Sequence, residues 1–160
     1  MSDRSHEAQA RVVSASRTVA APAEAIFELI ADPARQPSWD GNDNLAEAAP
    51  GQRVRQVGDV FTMGITTGAT RENHVVELEE ARRIAWMPAE PGGEPIGHVW
   101  RWQLEPAGPE ATTVTHTYDW TRLTDAKRLV RARATTADRL QASVDRLAGL
   151  AETDAGRVAE

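Results

Sequence analysis

The chain has 160 residues, a net charge of −6 and no cysteine. That length suits one domain with a substantial core, and the missing thiols exclude disulfides, thiolate zinc sites and a cysteine nucleophile. The acidic balance argues against nucleic acid, which wants a basic face.

Residues 1–10 (MSDRSHEAQA) are polar, contain no apolar signal region and are expected to form a flexible tail. No later stretch approaches the roughly 18 consecutive apolar residues of a membrane span, so a cytoplasmic protein is expected. RVVSASRTV (11–19) reads as a strand whose apolar row is Val13, Ala15 and Val19, with Arg17 an awkward member. Pro22 and Glu24 then open a short helix with Ile26, Phe27, Leu29 and Ile30 on its apolar face. Asp32-Pro33 repeats the start signal, predicting a second short helix to Gln36 that Pro37 stops. Trp39 follows in a turn, and residues 42–52 read as a loop.

From Arg53 the turn signals become closely spaced. Strands are predicted over 53–57, 60–67, 70–79, 82–87, 98–105 and 112–120, with Gly58-Asp59 as a hairpin turn and the Pro/Gly-rich 88–97 as a loop. Seven strands in this order suggest an antiparallel meander. The last segment, Thr124 to Ala151, contains no proline and no glycine before Gly149. Its spacing predicts one continuous helix capped by Thr124, with Val130, Ala137, Leu140, Val144, Leu147 and Ala151 on a single face. Residues 152–160 are expected to be a flexible tail.

The last two strands alternate between a polar row and an aromatic one. His98, Trp100, Trp102 and Leu104 share one face; so do Val114, His116, Tyr118 and Trp120. Two registers keep these rows on the same side: one pairs Trp102 with His116 and Trp100 with Tyr118, the other pairs Trp100 with His116 and His98 with Tyr118. His74, Val76, Leu78, Ile84 and Trp86 are placed on the same inner face. Trp, Tyr and His carry polar tips that want partners, so this patch is either a satisfied core or the wall of a cavity between sheet and helix.

The opening pattern from Ala21-Pro22 to Asp32 (APAEAIFELIAD), with VVSASRTV before it and THTYDW before the last helix, resembles the START-like (SRPBCC) superfamily. The nearest branch is the polyketide cyclase/dehydrase-like proteins, and the likeness spans residues 11–151 as a single domain. It implies an α+β helix-grip fold: a seven-stranded antiparallel sheet wrapped around a long C-terminal helix, with two short helices after the first strand. It also implies a cavity for a hydrophobic small molecule such as a polyketide, isoprenoid or lipid. Trp39, His74, Trp86, Trp100, Trp102, His116, Tyr118, Leu140 and Val144 are the expected ligand-binding residues.

Three functions compete on these grounds: a small-molecule binder, a cyclase or dehydratase of the same fold, and a protein-interaction module resembling activators of a chaperone ATPase. For catalysis the candidates are His116 as general base and Tyr118 as donor, with Arg17, Glu72 and His74 behind them. A satisfied core histidine and tyrosine is the competing account. Trp39 and the 88–97 loop are expected at the cavity mouth, where truncating Trp39 would cost little stability. No metal is expected, because a meander places His74 and His116 three strand spacings apart, about 14 Å. No cofactor motif is present, and a homodimer is compatible with the sequence.

Overall fold

The computed structural model describes residues 11–159; the expected N-terminal tail, 1–10, lies outside the described residues. The strands are β1 (Val12–Val19), β2 (Leu45–Glu47), β3 (Val60–Ile65), β4 (Thr70–Glu79), β5 (Arg83–Ala89), β6 (Val99–Gly108) and β7 (Ala111–Asp119). They form one antiparallel sheet in the order β1-β7-β6-β5-β4-β3-β2. After β1 come helix α1 (Ala23–Ala31) and a 3₁₀ helix (Pro33–Ser38); after β7 come α2 (Ala126–Ala134) and α3 (Ala137–Ala159). The architecture is the α+β helix-grip arrangement, an open antiparallel sheet curved around the C-terminal helix.

The core lies between the sheet and α3. Leu140, Val144, Leu147, Ala148 and Ala151 are buried along one stripe of α3, against β1, β7 and α1. Arg17 is reconciled with its apolar row by reaching out to Asp145 (3.1 Å) and Glu152 (3.8 Å) on the exposed side of α3. Its stem covers the sheet edge while its charge stays wet.

The C-terminal segment is two helices, not one. Thr135 adopts an extended conformation (φ −85°, ψ 93°), and its hydroxyl donates back to the Arg131 carbonyl. The stripe explains the break. Of the expected face, Val130 is 66% exposed and Ala137 is exposed, so the apolar stripe of α3 does not continue through the N-terminal third. Ala132 is the only buried residue of α2. Two adjacent β-branched threonines, both poor helix formers, then make the change of direction inexpensive. The cap also differs: Asp125 rather than Thr124 accepts from the Lys127 and Arg128 amides. At its far end α3 continues to Ala159, past the expected boundary at Ala151.

Two further expectations change. Residues 53–57 are not a strand; β2, from the stretch read as a loop, takes the edge position beside β3. Arg53 is drawn instead to α1, where its guanidinium bridges Glu28 and Glu80 and lies over the Phe27 ring. Asp59 gathers the amides of Arg55 and Gln56, which closes that segment into a turn. In β4, the inward residues are Arg71, Asn73 and Val75 up to a bulge between Val75 and Glu77, and Leu78 beyond it. His74 pairs across to Val60 and Met87 on the opposite face, and Val76 is 39% exposed. One extra residue shifts the two-residue alternation by a step, so a row extrapolated from Leu78 puts His74 on the wrong side.

The 3₁₀ helix completes the end of α1. The last carbonyls of a helix lack intrahelical donors and need other partners when buried. Here Leu29 accepts from Trp39 Nε1 (2.7 Å), Ile30 from Gln36 Nε2 (3.0 Å) and Ala31 from the Val54 amide (2.9 Å). Pro37 sits inside the 3₁₀ helix and does not stop it. Trp39 is consequently no mouth residue: it is 3% exposed and meets Trp102 edge-to-face at 5.1 Å. Its truncation should therefore cost about 3–5 kcal/mol, the same range as Trp102→Ala, because each leaves a ring-sized void. Denaturant midpoints of the two variants check this; a Trp39→Ala protein within about 1 kcal/mol of the parent would contradict it.

Candidate functional site

A cavity of about 290 Å³ lies between the inner face of the sheet, the Asp40–Leu45 loop and the α2–α3 elbow. It exists because the sheet contributes flat rings where aliphatic chains would interdigitate. The β6–β7 register pairs Trp102 with His116 and Trp100 with Tyr118, the first of the two alternatives. These side chains stack into a ladder. His116 lies between Trp102 (3.7 Å, 14°) and Trp100 (5.6 Å, 16°). Trp100 in turn covers Tyr118 at 4.2 Å, and His98 meets Tyr118 edge-on at 5.7 Å.

The ladder runs from dry core to cavity wall. Trp102 is fully buried and does not line the cavity, whereas His116, Trp100, Tyr118 and His98 do. Trp39 and Trp86 also face it. Of the other expected contacts, Leu140 and Val144 are buried in the α3 stripe outside the lining, and His74 is on the outer face of the sheet. Glu72 shares that outer face, opposite Ala89, and Arg17 is committed to α3. Five of the nine expected ligand residues thus converge on one space.

Burial sets the protonation of this wall. His116 Nδ1 is 3.0 Å from the Arg101 carbonyl, which can only accept, so Nδ1 carries the hydrogen and Nε2 the lone pair. Desolvation lowers the His116 pKa to about 3, against a smaller opposing effect of that carbonyl. His98 is lowered to about 4, first by burial and then by the charges of Arg128 and Arg71. Tyr118 is raised to about 12 by burial, so its hydroxyl stays protonated and available as a donor.

The sequence reading missed the floor and the rim. Gln36, Asn42, Asn44 and Asn73 supply amides, while Met63, Ile65 and Leu123 supply apolar wall. The floor loop is seated on α3 by close approach. Asp40 gathers the amides of Asn42, Asn44 and Leu45, and Gly41 donates to Ser143 Oγ at 2.7 Å. A Cβ at Gly41 would stand 2.6 Å from the Arg139 carbonyl and the Ser143 amide, so only glycine fits. The rim is basic: Arg71, Arg128, Arg131 and Arg139 all line it. The 88–97 loop reaches the rim through Glu90, which bonds Arg128 and lies 3.6 Å from Arg71. No signal short of the tertiary fold would have joined an arginine on β4 to three on the terminal helices.

The match to known proteins agrees with this geometry. A family model described as polyketide cyclase/dehydrase and lipid transport matches residues 10–152, and the chain belongs to that family. An uncharacterised Mycobacterium tuberculosis protein, Rv0088, is 32% identical over 113 residues, covering 68% of this chain and 47% of its own. The chain therefore spans about half the length of the curated relatives it matches. Among solved structures, the ZhuI aromatase/cyclase from Streptomyces sp. R1128 superposes with a TM-score of 0.66 at 19% identity, over 91% of this chain and 95% of that one. A START superfamily protein from Mycobacterium smegmatis gives 0.62 at 20% identity, over 89% and 97%. At such identities the structural likeness speaks for the fold alone.

The buried histidines make stability depend on pH, with a definite sign. Both have folded pKa values below the ordinary 6.5, so the unfolded chain binds more protons between about pH 6.5 and 4. Stability should fall as pH is lowered through that window, by up to about 1.4 kcal/mol per pH unit for each histidine. Urea midpoints at intervals from pH 7 to pH 5 measure it. A His116→Gln variant should show a shallower decline; an unchanged slope would mean that His116 titrates in the native protein as it does in the unfolded chain.

Proposed function

We propose that this protein binds a flat, hydrophobic small molecule, polyketide- or isoprenoid-like, against the ring ladder of β6 and β7. The observation that carries this reading is the cavity of about 290 Å³ walled by Trp100, Tyr118, His116 and Trp86. Ligand sites are mostly apolar pockets with a few convergent polar groups, and this one pairs ring faces with a donor and an acceptor. Tyr118 offers a protonated hydroxyl to a ligand carbonyl, and His116 Nε2 offers a lone pair to a ligand hydroxyl. Membership of the family supports the same class of ligand.

A cyclase or dehydratase acting through His116 and Tyr118 is the less supported reading. A general base works best with a pKa near the working pH, and a histidine held at about 3 is a poor proton acceptor at pH 7. The ladder fixes oxygen positions on a ligand better than it moves protons. The interaction-module reading calls for a filled interior, and the cavity weighs against it.

The neutral, ketone-bearing naphthalene fluorophore prodan tests the binding. It should bind the native protein with a blue-shifted emission and quench tryptophan fluorescence, since Trp100 and Trp86 are cavity wall. Tyr118→Phe should weaken that binding about three- to tenfold, the worth of one hydrogen bond. Prodan binding only to partly unfolded protein would sink the proposal. Native mass spectrometry of the purified protein should reveal a co-purifying compound.

A further inference from the structure

The chain is acidic overall, yet the mouth of its cavity is not. Arg71, Arg128, Arg131 and Arg139 line it, and the carboxylates nearby do not match them in number. Asp40 also lines the cavity, but its oxygens are taken by three backbone amides of its own loop. Asp43 turns away to Arg146 at 3.0 Å. Glu90 is shared between Arg128 and Arg71. Among the described residues, Arg131 and Arg139 have no carboxylate within ion-pair distance. They flank the Thr135–Thr136 break, one on the last turn of α2 and the other on the first turn of α3. A continuous helix would carry the two guanidinium groups along one rod; the elbow brings both to the same opening.

Asn42 and His98 of the cavity lining also each carry a buried polar atom without a partner among the described residues, Oδ1 and Nδ1 respectively. Polar atoms removed from water are normally paired, and the residues that carry these two line the cavity. Two guanidinium groups without a carboxylate partner describe the polar end of a site whose other end is the ring ladder.

We infer that the ligand is an amphipathic acid, with a flat apolar body on Trp100 and Tyr118 and a carboxylate or phosphate held at the elbow by Arg131 and Arg139. Guanidinium suits either anion because its forked donors match two oxygens at once. This deepens the binding function proposed above and rests on it. The stacking wall supplies affinity for any flat molecule of the right size, and the arginine pair selects those bearing negative charge. A neutral analogue loses the ionic contacts while keeping the stacking.

Naphthoate, naphthyl phosphate and the neutral naphthamide separate these contributions, since they share a ring and differ in charge. Titrations followed by tryptophan quenching should give the better acid about tenfold or more tighter binding than the amide. Which acid leads identifies the head group. Raising the salt to about 0.5 M should shrink the advantage, because the rim charges are wet. The double substitution Arg131→Gln and Arg139→Gln should abolish the acid-to-amide preference, whereas Arg131→Lys with Arg139→Lys should retain part of it. Both positions are exposed, so neither pair of changes opens the core. Equal affinity for acid and amide, or a preference that survives the glutamine variant, overturns the anionic head group while leaving the binding function intact. If prodan and all three naphthalene probes fail to bind, the binding function itself is wrong and this inference goes with it.

Discussion

The pairing of Trp102 with His116 across β6 and β7 is the contact on which the site depends. Once those two residues are opposite one another, Trp100 faces Tyr118, and the four rings stack. The inner end of the stack is sealed by Trp39, which meets Trp102 edge-on and is itself anchored to the end of α1. The outer end, Tyr118, meets His98 edge-on and borders the cavity. Flat rings leave a slot where branched aliphatic chains would have closed the gap, so the same register makes both the core and the cavity.

The stack also decides the chemistry of its members. A histidine between two indoles, with one nitrogen given to a backbone carbonyl, is removed from water and kept neutral. In the proposed binding function such a residue accepts from a ligand hydroxyl through Nε2. Tyr118, raised for the same reason, is fixed as a donor. Desolvation thus gives the two groups opposite hydrogen-bonding character. The rim follows a different rule, because Arg131 and Arg139 stay in contact with water.

The floor and roof of the cavity are held by backbone. Asp40 organises the loop, Gly41 lets it touch α3, and the Thr135 break turns α2 across the opening. Only Ala132 of α2 is buried, so the roof is the lightest-packed part of the enclosure. Segments with few buried apolar contacts open at lower free energy than the core, and ligand entry is best served by such an element.

Much of this was legible in the chain. Alternation in 98–105 and 112–120 determined which rows face inward, because side chains on a strand have no third direction to take. The stripe from Leu140 to Ala151 determined that a helix would cover them, and the pattern from Ala21 to Asp32 identified the superfamily. What depended on cooperation between distant segments was not legible. Trp39 reads as a loop aromatic until the unpaired carbonyl of Leu29 needs a donor. His74 reads as inward until the bulge at Val76 shifts the row by one residue. The terminal helix reads as continuous because helical propensity is local, while its break comes where the buried stripe has ended and Val130 is exposed. The basic rim is the extreme case. Its arginines come from β4, α2 and α3, and only the tertiary fold, by closing the sheet around the helix elbow, sets them around one opening.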